Sequence, residues 1–413
     1  MIIKALIFVG GIALGGVVAF FIVNGGKEAP SPQPESPKNP SWMADPQPEK
    51  KVKKEERERA LKVGVIGPET GENADYGLSV LEGIRLGVKH INAGGGLGGK
   101  KIEIIHYDNS GGPAQARSIT SDLITQNVAA IFSAPTGSST FAPTQLINAS
   151  DTIFISIGTR RKIGRSGKYI FQFSLSDEIA IEDMLKYSVN NLGYRNYALV
   201  TSSSYDYSLS ISSVFKQAIS KSGGQIVAEA DTYNTYTGKR DLQGVVTSLK
   251  DAPKEMHALI FTGEAEEAAL LARAMKDSGV SLPLVGGEDL FSGKFLNQGG
   301  ETVKGTLFYT AFSPDDDFPL TVQFVKNYLE RRNLRPNRFA ALAFDAIIQF
   351  TEALKKADSL KSSDIRNAML NTRKIKGITG SSHWSKSGEQ IKKPFFYRVE
   401  GDQSGMKFVL LRP

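Results

Sequence analysis

The stretch LKVGVIGPETGENADYGLSVLEGIRLGVKHINAGGGLGGKKIEIIHYDN, residues 61–109, decides the fold of this chain. It begins with a short apolar run that ends at Gly67-Pro68, a dipeptide typical of turns. A helical segment follows, with apolar residues three and four positions apart on one face, namely Leu78, Leu81, Ile84, Val88 and Ile91. A second apolar run begins at Ile102. The pattern predicts a βαβ unit, that is, two parallel strands joined by a right-handed crossover helix.

A glycine run after this helix, Gly94 to Gly99 followed by Lys100, nearly matches a phosphate-binding P-loop. That motif needs Ser or Thr after the lysine and lies between a strand and a helix. Here Lys101 follows, and the run lies between a helix and a strand. The glycines are therefore interpreted as the end of the helix in a tight turn, not as a nucleotide site.

Length and composition define the broad class of the protein. With 413 residues the chain exceeds one ordinary core, so two lobes are expected. The absence of cysteine excludes disulfides, thiolate nucleophiles and cysteine metal sites. The net charge of +7 could indicate nucleic acid, but the basic tract at residues 50–54 is followed by glutamates and lacks interleaved aromatic residues. A solvated spacer is favoured, and no nucleic-acid partner is expected.

The amino-terminal region is predicted to reach a membrane. Residues 5–23 are all Ala, Val, Ile, Leu, Phe or Gly. At about 1.5 Å per residue, such a segment suffices to span a hydrocarbon core of about 30 Å. An uncleaved anchor over residues 1–25 is favoured, and the alternative is a cleaved signal peptide, whose apolar region is usually shorter. Residues 26–60 are rich in proline and then in charge, which predicts a disordered linker.

From Leu61 onward, strand and helix patterns alternate, which predicts an α/β fold with two Rossmann-like sheets. Strands are expected near residues 61–67, 102–107, 129–134, 152–157, 168–173, 196–202, 225–231, 257–262, 282–286 and 305–312. Long helices are expected near residues 317–332 and 338–357, followed by short strands to the end.

Hydrolytic and metal chemistry find little support in the sequence. The four histidines form no HExxH motif, and no G-x-S-x-G motif is present. The acidic run at residues 315–317 could bind a metal, but a proline-bounded acidic loop is the commoner explanation. We therefore predict no metal, no cofactor and no catalytic residues, and an enzyme on this architecture stays a minor alternative.

Three polar loops after predicted strands are candidates for binding a small molecule, because ligands bind beyond the carboxyl ends of parallel strands. They span residues 67–77, 134–143 and 155–159. The second is rich in hydroxyl groups and precedes a helix, so its backbone N–H groups could receive a carboxylate. Plain helix capping by the same side chains is the alternative.

Taken in order, these loops resemble the type I periplasmic solute-binding proteins of the leucine/isoleucine/valine-binding family. The resemblance covers about residues 61–411. It rests on the GPxxGxxAxYG pattern of residues 67–77, Ile91-Asn92, Tyr107-Asp108-Asn109, Gln115-Ala116, Ser138-Ser139-Thr140, Gly263-Glu264, Gly287-Glu288 and Ala343-Phe344-Asp345-Ala346.

The resemblance implies a two-lobed clamp that closes over its ligand by hinge motion. The chain would cross between the lobes three times, near residues 175, 312 and 390. The first lobe would comprise residues 61–175 and 313–390, and the second would comprise residues 176–312 and 391–413.

The resemblance also implies a ligand-binding site of eight residues: Tyr76, Ser138, Ser139, Thr159, Tyr205, Glu264, Glu288 and Phe339. Ser138 or Ser139 and Thr159, with nearby backbone N–H groups, would hold an α-carboxylate. Glu288 would pair with the α-ammonium, since a zwitterion taken out of water needs a charge partner at each end. The others would line the pocket, with Phe339 at its edge.

Arg160-Arg161 departs from the small or apolar residues usual in the family after Thr159. The pair could bind a second acid group on the ligand or could lie on the rim, and the rim is favoured. The sequence thus predicts an extracytoplasmic receptor, at the periplasmic or extracellular face of the cytoplasmic membrane. It would deliver an amino acid or related small carboxylate to an ABC permease. The alternative is a membrane-tethered sensor or assembly component with the same clamp fold.

Overall fold

Two β-sheets organise the folded part of the chain. The computed structural model describes residues 60–160, 162–234, 236–252, 255–402 and 405–412. The strands are β1 Leu61–Gly67, β2 Ile102–Asp108, β3 Ile131–Ser133, β4 Phe154–Ile157, β5 Ile170–Phe173, β6 Asn196–Thr201, β7 Gln225–Asp231, β8 Tyr233–Asn234, β9 Lys239–Arg240, β10 Ala258–Phe261, β11 Leu284–Gly286, β12 Leu307–Thr310, β13 Ile375–Gly377, β14 Gly380–Trp384, β15 Gln390–Lys392, β16 Phe395–Asp402 and β17 Gly405–Leu411.

Helices alternate with most of these strands. They are α1 Ala74–Ala93, α2 Pro113–Thr125, α3 Ser138–Phe141, α4 Thr144–Ser150, α5 Asp177–Leu192, α6 Asp206–Lys221, α7 Leu242–Lys250, α8 Ala265–Asp277, α9 Gly293–Gly299, α10 Pro319–Arg332, α11 Arg338–Leu354 and α12 Ser362–Asn371. Short 3-10 helices span Ile163–Ser166, Glu288–Leu290 and Gly300–Val303.

The first sheet has the order β2-β1-β3-β4-β5, and all its strand pairs are parallel. The second sheet has the order β17-β16-β12-β11-β10-β6-β7. We call the half of the molecule built on each sheet the first and the second lobe. The small sheet β13-β14-β15 packs on the first lobe, where the Trp384 ring contacts the rings of Phe171 and Phe173. All described residues belong to one compact unit.

The ten predicted strands and the two predicted long helices are confirmed, with ends shifted by a few residues. The expectation of Rossmann-like parallel sheets is wrong at one edge of the second sheet, where β16 and β17 run antiparallel. Two residues separate these strands, and a connection this short can join only antiparallel neighbours.

The predicted anchor over residues 1–25 and nearly all of the predicted linker, up to residue 59, lie outside the described residues. Among the helices that the structure does describe, none combines the length and the apolar character needed to cross a bilayer.

Helix α1 is buried on a wider face than its apolar periodicity predicts. Leu81, Ile84 and Val88 are buried as expected, but Gly83 and Gly87 on another face are buried too. They lie against α11, and a Cβ added to Gly83 would come within 2.1 Å of the Ala340 carbonyl oxygen. The glycines therefore allow the two helix backbones to approach closely. The glycine run after α1 forms the predicted turn, with the Gly96 N–H bonded to the Ile91 carbonyl.

A buried lysine ties the small sheet to α11. Lys392 is 2% exposed, and its ammonium donates a hydrogen bond to the Thr379 hydroxyl. That hydroxyl donates in turn to Asp345 at 2.5 Å, and the same carboxylate accepts the Ile378 N–H at 3.0 Å. Burial lowers the pKa of Lys392 to about 8, although Asp345 and Glu288 partly oppose the shift. Asp345 thus fixes the turn between β13 and β14.

Gly83→Ala is expected to lower the free energy of unfolding by about 1–3 kcal/mol, because the new methyl group would clash with the α11 backbone. The higher helix propensity of alanine offsets at most about 1 kcal/mol of this loss. Gly293→Ala is the matched control, since a Cβ there meets nothing within 4 Å. Urea unfolding followed by circular dichroism measures both. Equal stability of the two variants would contradict the close approach of α1 and α11.

Lys392 is expected to make stability rise with pH in the alkaline range. Between its folded pKa of about 8 and its ordinary value of about 10.4, the unfolded chain binds a proton that the folded chain does not. From pH 8 to pH 9.5, wild type should gain about 1.5 kcal/mol relative to Lys392→Met, which lacks this titration. Urea unfolding at several pH values measures the difference. A constant difference would show that Lys392 keeps its ordinary pKa.

Candidate functional site

Each lobe presents three loops that carry predicted residues at one edge of its sheet. In the first lobe β1, β3 and β4 are parallel neighbours, so the loops that follow them lie side by side. In the second lobe β6, β10 and β11 are parallel neighbours. The loops after these strands carry Tyr205, Glu264 and Glu288. Topology therefore groups the eight predicted residues into two sets, one on each lobe.

On the first lobe, an aromatic pair lies where β1 and β4 end. The rings of Tyr76 and Phe339 are 4.7 Å apart, and Tyr76 is 39% exposed while Phe339 is buried. Phe339 lies over Gly158, which has a φ of +68° and where an added Cβ would come within 2.6 Å of the ring. Asn337 caps α11 by accepting the N–H groups of Phe339 and Ala340. The cap and the glycine together fix the Phe339 ring.

The hydroxyl groups of the first lobe are largely engaged within the protein. Ser138 is exposed, but Ser139 is buried and its hydroxyl donates to the Gly111 carbonyl. The Thr159 hydroxyl is 2.5 Å from that of Ser156. The backbone N–H groups of residues 137–139 make no hydrogen bond to the described part of the chain. The backbone of this loop is therefore the better candidate to receive a carboxylate.

On the second lobe, two acids occupy the 3-10 helix after β11. Glu288 is buried, and its Oε2 accepts the Ala311 N–H at 3.1 Å and the Thr310 hydroxyl at 3.4 Å. Its Oε1 accepts no hydrogen bond from the described residues, so this oxygen is free to accept a ligand donor. Asp289 follows directly and binds Arg160 of the first lobe.

The Arg160–Asp289 pair joins the two lobes. The two guanidinium nitrogens of Arg160 donate to the two oxygens of Asp289 at 2.8 and 2.7 Å. The Arg160 side chain is 15% exposed and lies 4.3 Å from the ring centroid of Tyr207. The interpretation that Arg160 lies on the rim is therefore wrong. An acid on the facing lobe draws its side chain inward. Arg161 lies outside the described residues.

Electrostatics explain why both charges of this pair persist. Burial opposes ionisation of Asp289, but the charge and hydrogen bonds of Arg160 outweigh burial and hold the pKa of Asp289 below its ordinary value. Burial raises the pKa of nearby Asp177, which accepts hydrogen bonds from the hydroxyls of Tyr207 and Tyr309. Arg160 thus favours the charged form of Asp289, whereas burial favours the neutral form of Asp177.

Arg338 is the second arginine of the first lobe that reaches the acids. Its Nε lies 3.5 Å from Glu288 and one terminal nitrogen lies 4.0 Å from Asp289. Its guanidinium lies 4.5 Å from the ring centroid of Phe339. Arg338, Asp289 and Tyr207 were not among the site residues predicted from the sequence. Two of them are neighbours in sequence of predicted residues, since Arg338 precedes Phe339 and Asp289 follows Glu288. This adjacency was the one sign of them in the sequence.

The remaining predicted residues differ in burial. Tyr205 is half-buried, and its ring centroid is 6.0 Å from that of Tyr207. Burial raises the pKa of Tyr205, and the Asp289 carboxylate adds to this shift. Glu264 is exposed at the start of α8. The structure thus brings Tyr205 and Glu288 near the arginines, while no described contact joins the Ser138–Ser139 loop to them.

A cavity of about 290 Å³ lies beside the first and third crossings of the chain between the lobes. Arg160, Asp177 and Gln390 are among its lining residues, but none of the eight predicted residues is. The cavity is therefore separate from the predicted binding residues. Among the described residues, no group of three or more His, Asp or Glu side chains could hold a metal ion.

The molecule has two α/β lobes, and ion pairs join the loops at their strand ends. This arrangement is typical of proteins that bind a ligand between two lobes. The family model described as periplasmic binding protein matches residues 60–404. The chain belongs to the periplasmic binding protein family, and the resemblance inferred from the sequence is confirmed at this level.

Relatives and solved structures agree with this assignment. The Leu/Ile/Val-binding protein homolog 3 of Brucella melitensis biotype 1 is 24% identical over 332 residues, covering 80% of this chain and 88% of that protein. A putative branched-chain amino acid ABC transporter structure from Rhodospirillum rubrum has a TM-score of 0.76 at 24% identity, covering 85% of this chain and 100% of that one. The substrate binding protein LivJ from Streptococcus pneumoniae, in complex with isoleucine, has a TM-score of 0.66 at 25% identity, covering 86% and 100%.

Arg160→Met should lower the free energy of unfolding by about 1–3 kcal/mol at pH 7, since it leaves the largely buried Asp289 carboxylate without its partner. Adding Asp289→Asn should restore part of the loss, giving a coupling of about 1–2 kcal/mol in urea unfolding. Because the pKa of Asp289 is lowered, this coupling should be present above about pH 4 and fade as the pH falls further. The exposed Arg165–Glu389 pair is the control, with coupling below about 1 kcal/mol. Additive effects of Arg160→Met and Asp289→Asn would contradict a cross-lobe pair.

Proposed function

We propose that this protein is an extracytoplasmic receptor that captures an amino acid or related small carboxylate and delivers it to an ABC importer. The observation that carries the proposal is the meeting of polar strand-end loops from two lobes, joined by Arg160 and Asp289. Membership of the periplasmic binding protein family supports it. So do relatives named for binding leucine, isoleucine and valine. They favour an importer component over the sensor or assembly alternative.

In the proposed binding mode, each end of the ligand meets a different lobe. The α-carboxylate binds the backbone N–H groups of residues 137–139, with the Ser138 and Thr159 hydroxyls nearby. The α-ammonium binds Oε1 of Glu288, the oxygen that accepts no hydrogen bond from the described residues. The rings of Tyr76 and Phe339 line the first lobe.

Tyr205 and Glu264 line the second lobe in the same binding mode, and Ser139 acts through its bond to the Gly111 carbonyl, which shapes the loop. The lobes of this receptor comprise residues 61–175 with 313–390, and 176–312 with 391–413. Ligand capture then proceeds by hinge motion about the three crossings and involves no chemical step.

The receptor is tethered to the membrane in this proposal. The apolar residues 5–23 anchor it, and the proline-rich segment up to residue 60 spaces it from the outer face of the cytoplasmic membrane. Its macromolecular partner is the permease of the importer. A tethered receptor stays close to its permease, which raises the effective concentration of the docking partner.

Titration calorimetry of the full-length chain in mild detergent, against amino acids and small carboxylates, tests the function. Glu288→Gln should weaken binding by about 1–3 kcal/mol, because the buried ammonium of the ligand loses its charge partner. Glu330→Gln on the exposed face of α10 is the control and should leave affinity unchanged. Absence of binding heat across the panel with a folded sample would remove the function. Unchanged affinity in Glu288→Gln would place that residue outside the site.

A further inference from the structure

The side chain of Arg338 makes no hydrogen bond to the described residues, although it is only 20% exposed. Its two carboxylate neighbours lie 3.5 and 4.0 Å away, beyond an ordinary charge-assisted hydrogen bond. A guanidinium carries five N–H donors, and groups this deeply placed are normally hydrogen-bonded. The environment of Arg338 therefore supplies negative charge without supplying the acceptor atoms that its donors need.

Arg160, unlike Arg338, has its hydrogen-bond acceptors within the protein. Arg160 uses both terminal nitrogens on Asp289 at 2.8 and 2.7 Å, which leaves little of that carboxylate for Arg338. Oε2 of Glu288, the oxygen that Arg338 approaches, already accepts the Ala311 N–H. The Asp289 carboxylate is therefore taken by Arg160 and Oε2 of Glu288 by the Ala311 N–H, which leaves the Arg338 donors available to an acceptor on a ligand.

The position of Arg338 is suited to hold such an acceptor. It is the first residue of α11, next to the Asn337 cap, so its backbone is fixed. Its guanidinium carbon lies 4.5 Å from the centroid of the Phe339 ring, a cation–π contact that holds the guanidinium at this place. A planar fork presented in this way matches a carboxylate with two parallel hydrogen bonds.

We propose that Arg338 binds a side-chain carboxylate of the ligand, and that the ligand is an acidic amino acid. This inference rests on the proposed function, because it assigns the substrate class of the same site. The α-carboxylate then meets the backbone of residues 137–139, the ammonium meets Oε1 of Glu288, and the second carboxylate meets the Arg338 fork.

Pairing of the free groups selects this class over its neighbours. Arg160 and Asp289 satisfy each other, which leaves Glu288 and Arg338 to meet the ligand. A neutral amino acid leaves the donors of Arg338 without acceptors, which is costly in a desolvated site. A plain dicarboxylate brings a second negative charge toward Glu288 without an ammonium to meet it. An acidic amino acid gives each free group a partner of opposite charge.

Calorimetry on the full-length chain in mild detergent, with L-glutamate, L-aspartate, L-leucine and glutarate as probes, tests the assignment. Wild type should bind glutamate or aspartate at least about tenfold more tightly than leucine or glutarate. Arg338→Met keeps a side chain over Phe339 but removes the fork, and should weaken binding of the acidic amino acid about 30-fold or more. Leucine affinity should change less than about threefold in the same variant, because leucine makes no use of the fork.

Two further variants separate specificity from folding. Arg338→Lys keeps the charge without the fork and should fall between wild type and Arg338→Met for the acidic ligand. Arg335→Gln is the control three positions away, since Arg335 bonds the exposed Asp315. It should bind every probe as wild type does. Circular dichroism establishes that each variant is folded.

The outcomes separate this inference from the proposed function. Leucine binding tighter than both acidic amino acids, or equal weakening of all probes by Arg338→Met, overturns the role of Arg338 while the receptor function stands. Glutarate binding as tightly as glutamate overturns the requirement for an ammonium group. A folded wild type that binds none of the four probes or any other small acid overturns both proposals.

Discussion

The bidentate ion pair between Arg160 and Asp289 sets how the two lobes meet. Both charges are largely withdrawn from water, so each depends on the other to offset the cost of desolvation. The fork geometry fixes orientation as well as distance, because two parallel hydrogen bonds tolerate little rotation. The pair therefore fixes where the loop after β4 faces the loop after β11. Glu288, next to Asp289, is positioned by the same contact.

Because side chains of the protein already join the two lobes, fewer ligand contacts are available to favour the closed state over the open one. The Arg160–Asp289 pair already favours approach of the lobes, so a ligand shifts the hinge equilibrium only by contacts that differ between open and closed states. Such contacts have to involve groups that the pair leaves free, namely Oε1 of Glu288 and the donors of Arg338. The charged network thus divides into a closed pair that joins the lobes and free groups that, in the proposed receptor, discriminate among ligands.

Much of the fold could be predicted because its signals are local. Apolar runs, helical periodicity and glycine turns gave the ten strands, and parallel topology then brought Tyr76, Thr159 and Glu288 to strand ends. The direction of the Arg160 side chain could not be predicted, because it depends on Asp289 on the other lobe, 129 residues later. The wide burial of α1 was missed for a similar reason. Glycine carries no apolar signal, yet Gly83 allows α11 to approach.

Helix α11 connects the core of the first lobe to the residues proposed to bind the ligand. Asn337 caps its first turn and also donates to the Ser79 hydroxyl of α1, while the α1 glycines pack against its next turns. Asp345 then holds the turn that carries Thr379, to which Lys392 donates near the third crossing. Because α11 is held at its first turns and again at Asp345, the backbone that carries Arg338 and Phe339 has little freedom to move. Because the backbone is fixed independently of the guanidinium, removing the charge of Arg338 alters what the site can bind more than how the lobe packs.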